Sequence, residues 1–396
     1  MTTAQFLEAL KKSNLLSSSQ FSEVKDFVGS DAKPEGVARQ LIRLKMLTQW
    51  QAKRLLAGQT TFFVGNYKLL KRLGAGDAAA VFKAEQTGTR RNVALKVLPK
   101  ELLSNVEAVE RFRREVRATA SLKHPHIVAA YDAGQLGDIH YLIMEYVGGR
   151  DLTAWLEQYT KLPIPWSCEV IRQIAEGLEH VHEAGLVHRD INPANILVAA
   201  KTDGMPWAKI LDFGRVRNIA ETQGSTDRLT VRGQTLGTQD YTSPEQMRNS
   251  RDADIRADIY SLGATFFKML TGRVPHDDAD PMKRMTALFS RDVPPASSLR
   301  SEIPPEVDGI IAKMLARDID KRYQTPNQIV EAIAPFALGS DEVLGADEIA
   351  TAEEEPPIWT EDNKAAQIAD LVQDQPRETN DSVYEFLAKL ANQAKG

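Results

Sequence analysis

His188-Arg189-Asp190-Ile191-Asn192-Pro193-Ala194-Asn195-Ile196-Leu197 is the stretch on which the reading of this chain turns. It sets a carboxylate, Asp190, and an amide, Asn195, five positions apart in a polar loop that runs into apolar Ile196 and Leu197. A hydroxyl that acts as a nucleophile needs a carboxylate to orient it and receive its proton, and Asp190 suits that work. Asp212-Phe213-Gly214 follows seventeen residues after Asn195. Upstream, Val93-Ala94-Leu95-Lys96-Val97-Leu98 places a lysine inside an apolar strand, which is costly unless its charge is paired. Further upstream, Leu73-Gly74-Ala75-Gly76-Asp77-Ala78-Ala79-Ala80-Val81 is a glycine-containing loop. Its glycines let backbone N–H groups approach a phosphate without a Cβ in the way. Taken alone such a loop serves equally in dinucleotide binding or as a plain turn.

Around these segments the pattern changes along the chain. Residues 1–60 read as short amphipathic helices with an internal match at an offset of 31 residues. Leu10 matches Leu41, Leu15-Leu16 matches Met46-Leu47, Ser17 matches Thr48, Gln20 matches Gln51 and Val24 matches Leu55. Ser17 and Thr48 are good N-caps, so the unit reads as a helical hairpin present twice, small enough to need a partner for burial. Chance similarity between two helical sequences is the alternative. Residues 61–66 read as a linker. Short strands dominate from Tyr67 to about 147, with one helix near 106–122, and longer helical patterns follow 151. Strands first and helices second predict an α+β arrangement in two lobes. Residues 337–396 are acidic and rich in Ala, Glu, Asp and Pro, and are expected to be flexible. Their Val383, Phe386, Leu387 and Leu390 stand at helical spacing, either as a docking helix or as a marginal terminal one.

Composition excludes several classes of function. No apolar stretch approaches the ~20 residues of a membrane span, and the N-terminus has no basic head before an apolar core. The lone Cys168 permits neither an internal disulfide nor a cysteine zinc cluster, reads as packing, and suits a reducing cytoplasm. The net charge is −5; residues 337–396 carry 14 Asp/Glu and 4 Lys/Arg, which leaves +5 on the preceding 336 residues. No basic stripe with interleaved aromatics marks a nucleic-acid binder.

In order and spacing these motifs closely resemble the protein kinase family over about residues 67–336, in the style of bacterial, eukaryotic-like serine/threonine kinases. The resemblance implies a bilobal kinase fold, ATP and Mg²⁺ as cofactors, and proteins as substrates. Gly74 and Gly76 would lie over the phosphates. Lys96 would hold the α- and β-phosphates, paired with Glu115 of Arg111-Phe112-Arg113-Arg114-Glu115-Val116. Tyr141-Leu142-Ile143-Met144-Glu145-Tyr146-Val147 resembles the hinge: Met144 behind the adenine, Glu145 and Val147 offering backbone groups, and Val81, Ala94 and Leu197 forming an apolar sandwich. Asp190 would be the catalytic base, Asn195 and Asp212 the magnesium ligands, Arg189 the partner of a phosphorylated residue, and His188 a structural histidine. Thr238 matches the threonine beside the base, favouring Ser/Thr over Tyr acceptors. The activation segment, ending at Ser243-Pro244-Glu245, offers Thr235, Thr230 and Thr226 for phosphorylation. Asp258 would brace the catalytic loop, and Arg322 would pair with Glu245. The helical segment 1–60 is expected to be a separate module that recruits a regulatory partner or itself regulates the kinase.

The sequence also departs from the family pattern. Ala79 replaces the third loop glycine and Ala78 the aromatic tip. Serine/threonine kinases carry Lys two residues after the catalytic Asp, where this chain has Asn192; tyrosine kinases carry Arg four after it, where this chain has Ala194. Asparagine can hydrogen-bond a phosphate but brings no charge. The expectation is therefore a working kinase, fast or slow, whose rate rises on Asn192→Lys; the alternative is a pseudokinase that binds nucleotide or partners without efficient transfer.

Overall fold

The structure is a computed structural model describing residues 1–29, 32–75, 79–98, 102–200, 205–218, 238–249 and 253–337. Gly76, Ala78, Thr226, Thr230, Thr235 and the tail beyond residue 337 lie outside the described residues. The chain divides into two compact units, a strand-rich one containing Met1–Arg113 and Ala130–Tyr146, and a helix-rich one containing Arg114–Ala129 and the described residues from Val147 on. This is the α+β class that the order of elements predicts.

In the first unit, helices α1 (Thr3–Lys12), α2 (Ser18–Phe27), α3 (Pro34–Arg43) and α4 (Gln49–Leu56) reproduce the 31-residue offset in their starting positions. The match extends to backbone conformation. Asn14 and Lys45, 31 apart, both turn the chain after the odd helices at positive φ, 52° and 56°. Ser17 with Gln20 and Thr48 with Gln51 form equivalent capping boxes, each satisfying two backbone N–H groups that a helix start leaves unpaired. Phe6, Leu10, Val24, Val37, Leu41 and Leu55 close a shared core, which also takes in Phe62.

Residues 61–66, read from the sequence as a linker, instead hold a strand. β1 (Phe63–Val64) turns at Gly65 (φ 53°) and pairs antiparallel with β2 (Tyr67–Ala75), Val64 opposite Tyr67. β3 (Ala80–Gln86), β4 (Asn92–Leu98), β5 (Ala130–Leu136) and β6 (Ile139–Glu145) complete a sheet of order β1-β2-β3-β4-β6-β5. The second hairpin is docked on this sheet rather than separate from it. Thr48 Oγ1 donates to the Leu70 carbonyl at 2.6 Å and Gln51 Nε2 to the Leu69 carbonyl at 2.7 Å. Trp50 meets Phe62 and Phe82 edge-on, with ring centroids 5.8 and 5.9 Å apart. Phe82 belongs to a sheet face filled by Ala84, Val93, Leu95, Val97 and Ile143.

The second unit is built on α7 (Ile164–Glu183) and α9 (Ile255–Thr271), both largely buried. Ile171, Ile174 and Leu178 of the first and Leu262, Phe266 and Met269 of the second share one core. A Cβ at Gly263 would lie 2.7 Å from Met314 Cβ, so only glycine lets α9 approach α11 (Pro305–Met314) this closely. Cys168 is fully buried in α7, its thiol pushed up to about 12 by burial, as a packing residue should be. Two short ladders flank the loops: β9 (Ile196–Ala200) with β10 (Pro206–Ile210), and β8 (Leu186–Val187) with β11 (Arg217–Asn218). No helix among the described residues is long and apolar enough to cross a membrane.

Candidate active site

In the strand-rich unit the register decides which side chains share a face. Gly74 pairs with Val81, Val81 with Lys96, and Lys96 with Leu142; one step along, Ala94 pairs with Met144. Direct partners and residues two apart lie on one face of a sheet, so Gly74, Val81, Ala94, Lys96 and Met144 share the face opposite the Phe82 cluster. Glu145, paired with Val93, lies on the other face, where only its backbone remains for a hinge role.

In the helix-rich unit the polar loop is held from several sides. Asp258, fully buried in α9, accepts the backbone N–H groups of His188 at 2.8 Å and Arg189 at 2.7 Å. Burial drives its carboxyl above the usual range, while His188 and these two amides oppose that. The brace matters because Arg189 sits at φ 68°, a strained value for a residue with a Cβ. His188 accepts the Asp190 N–H at Nδ1 (3.2 Å), so its Nε2 must be the donor to the Leu211 carbonyl at 3.0 Å. Its ring meets Phe213 edge-on at 4.9 Å, which makes it a structural histidine.

The Asp190 carboxylate is surrounded by donors. Asn192 Nδ2 reaches Oδ1 at 3.3 Å and Asn195 Nδ2 reaches Oδ2 at 3.1 Å. Both amides also hold the Asp190 carbonyl, at 3.0 and 2.7 Å. Arg215 Nε stands 3.6 Å from Oδ2. Burial raises the Asp190 pKa most; Arg215 and His188 oppose this, Asp212 adds to it, and the Asn195 hydrogen bond opposes it. Asp212, at φ 56°, accepts the Gly214 N–H at 3.0 Å. A Cβ at Gly214 would lie 3.0 Å from Asp212 Oδ1 and 3.8 Å from Oε2 of Glu115, a buried residue of α5 (Val106–Ser121). Asp190, Asn195, Asp212 and Glu115 are thus gathered at one end of this unit.

Other candidates are placed less fully. Leu197 is half-buried in β9, opposite Lys209, and Val147 lies half-buried just beyond β6. Thr238 opens the turn Thr238–Tyr241, and its side chain is outside what the structure describes. Arg322 grips Glu245 with two hydrogen bonds of 2.6 and 2.9 Å, the pair that the resemblance implies.

A model of the protein kinase domain matches residues 67–333. The chain belongs to the protein kinase family. Among its curated relatives are serine/threonine-protein kinase PrkC of Bacillus subtilis (strain 168), 36% identical over 277 residues, covering 70% of this chain and 41% of that protein. Serine/threonine-protein kinase PknB of Mycolicibacterium smegmatis is 35% identical over 263 residues, covering 65% and 41%. A probable serine/threonine-protein kinase of Streptomyces coelicolor, SCO3848, is 37% identical over 270 residues, covering 67% and 39%. The chain thus spans about two fifths of the length of these relatives.

The kinase-domain donors fit a magnesium ion that a nucleotide brings with it. Asn195 uses its Nδ2 on Asp190, which leaves Oδ1 as the amide's acceptor, and Asp212 supplies carboxylate oxygen. Both would offer hard oxygen ligands of the kind Mg²⁺ favours, leaving room for water and phosphate in the rest of its shell. Among the described residues, no cluster of three His, Cys, Asp or Glu side chains is placed to cage a metal alone. Arg215 is the residue that sequence reasoning missed. Its only sequence signal is its place directly after Asp-Phe-Gly.

Proposed function

We propose that this chain is a serine/threonine protein kinase that transfers the γ-phosphate of Mg-ATP to protein hydroxyls. The observation that carries the reading is the caged Asp190 carboxylate, on a loop with Asn195 that Asp258 holds by its backbone, with Asp212 close enough to raise its pKa. Asp190 orients the acceptor hydroxyl and takes its proton; Asn192 and Asn195 fix that carboxylate's direction. By the family resemblance Lys96 would hold the α- and β-phosphates with Gly74 and Gly76 over them, Met144 would lie behind the base, and Val81, Ala94 and Leu197 would sandwich it. The backbone of Glu145 and Val147 reads its edge. Asn195 Oδ1 and Asp212 would hold Mg²⁺, which neutralises charge on the phosphates when bound. Thr238 favours a Ser or Thr acceptor, and Thr235, then Thr230, then Thr226, are the expected self-modification sites. We assign the helical repeat a regulatory or recruiting role, and the cytoplasm as the place of action.

The test is transfer of radiolabel from [γ-³²P]ATP by the purified full chain, with Asp190→Asn as control. Label on Ser or Thr that disappears in the control supports the reading. A parent chain that binds Mg-ATP yet transfers no label overturns it.

A further inference from the structure

The cation that kinases place near the transferring phosphoryl group, at one or the other of two loop positions, is missing from both here, at Asn192 and Ala194. Asn192 does not compensate. Its Nδ2 bonds Asp190 twice, its Oδ1 accepts the Ala194 N–H at 3.0 Å, and the residue is only 7% exposed. It has become a strut for Asp190. Positive charge reaches the same carboxylate from elsewhere in the chain. The β8–β11 ladder pairs Arg217 with Val187 and so carries the segment after Asp212-Phe213-Gly214 alongside the start of the catalytic loop. Arg215 then stands with Nε 3.6 Å from Asp190 Oδ2, both side chains partly shielded, at 25% and 18% exposure.

We infer that Arg215 supplies the cation that the catalytic loop lacks, acting on the phosphoryl group as it transfers. The inference rests on the kinase reading above. At 3.6 Å Arg215 is held near the carboxylate by charge rather than by a short hydrogen bond, so the guanidinium is not locked to it. Arginine keeps its charge at any working pH and presents a planar fork of N–H donors suited to phosphate oxygens. In the step itself, the acceptor oxygen bonds to the γ-phosphorus as the bond to the β,γ-bridging oxygen breaks. The electron pair leaves with ADP, and the hydroxyl proton passes to Asp190. Arg215 balances the negative charge that spreads over the equatorial oxygens. The same arrangement revises the expectation for Asn192→Lys: with Arg215 in place and the Asn192 bonds to Asp190 lost, a lysine at 192 does not raise the parent rate.

The test compares full-length parent, Arg215→Ala, Arg215→Lys, Asn192→Lys and the double variant Arg215→Ala/Asn192→Lys, each checked for an unchanged melting curve. Transfer from [γ-³²P]ATP to a generic protein acceptor gives kcat and KM. Binding of MgADP with and without aluminium fluoride, a mimic of the transferring phosphoryl group, gives a readout free of turnover. We expect Arg215→Ala to lower kcat by about 10²-fold or more with MgADP affinity unchanged, since such a group acts mainly in the transition state. Arg215→Lys retains most of the activity, and the double variant regains at least about tenfold over Arg215→Ala. Aluminium fluoride should tighten MgADP binding far less in Arg215→Ala than in the parent. That difference should persist in an Asp190→Asn background, where a role exercised only through the carboxylate would vanish. An active parent with Arg215→Ala within about threefold of its kcat overturns the inference alone. So does an effect that disappears with Asp190. An inert parent that also ignores aluminium fluoride overturns the kinase reading and the inference together.

Discussion

Replacing Arg322 with methionine should be among the most damaging single changes in the helix-rich unit. The guanidinium is fully buried and forks onto Glu245 at 2.6 and 2.9 Å. It also donates to the carbonyls of Ala316 at 2.7 Å and Arg256 at 3.0 Å, and its plane lies 4.9 Å from the Tyr260 ring. Methionine fills much of the volume but leaves one carboxylate and two carbonyls without these donors. Breaking a buried pair from one side costs about 3–5 kcal/mol. Glu245 keeps 18% exposure and recovers some hydration, which favours the lower end. At roughly 2–4 °C per kcal/mol for a unit of this size, the melting temperature should fall by roughly 6–12 °C. Calorimetry of the full chain reads this directly. Arg322→Met/Glu245→Gln should recover over about 1 kcal/mol of the loss, because removing both charges is far cheaper than orphaning one. A fall of under about 2 °C in the single variant would refute the reasoning, since only an exposed, solvated pair contributes so little.

Other predictions follow from separate parts of the molecule. Trp50→Ala should destabilise the docked hairpin by about 3 kcal/mol and open residues 57–66 to limited proteolysis; an unchanged cleavage pattern would mean that the Trp50–Phe82 contact does not hold it. Burial, helped by Arg113, lowers the His140 pKa, so the unfolded chain takes up the proton first as pH falls below about 6.5. Stability should therefore drop on acidification through that window, and His140→Phe should flatten this part of the Tm-against-pH curve. Mg-ATP should raise the melting temperature more than ATP with EDTA, and Asp212→Asn should abolish the difference. Asp258→Asn should lower kcat by a larger factor than it weakens that Mg-ATP shift, because it loosens the loop that carries Asp190 and Asn195 while Asp212 lies outside that loop.

What the sequence revealed and what it hid divide along physical lines. Asp190, Asn195 and Asp212 stood out because short, local motifs around them resemble those of kinases, and the structure brings these side chains near one another. The helical repeat was legible down to Ser17 and Thr48, since a cap acts on its own turn. Phe63–Val64 was not: two residues after a Thr pair carry no periodicity, and they become a strand only because β2 is there to pair with. Gln51 stood out in the sequence only as the match of Gln20; it completes Thr48's capping box, and its further bond, to Leu69, depends on a docking that no local pattern announces. Arg215 was invisible for the same reason. Its distance to Asp190 exists only once Arg217 pairs with Val187.

The brace on the catalytic loop also sets a clock. Arg189 and the residue that captures its N–H are 69 positions apart, so the loop leaves the ribosome with nothing to hold its left-handed turn. At roughly 5–20 residues per second, roughly 3–14 s of synthesis separate the base from its brace. A nascent chain that has passed residue 212 but not yet reached residue 258 carries the Asp190–Asn195–Asp212 set and still lacks Asp258. The order in which the sequence is written thus delivers the brace after the loop it holds.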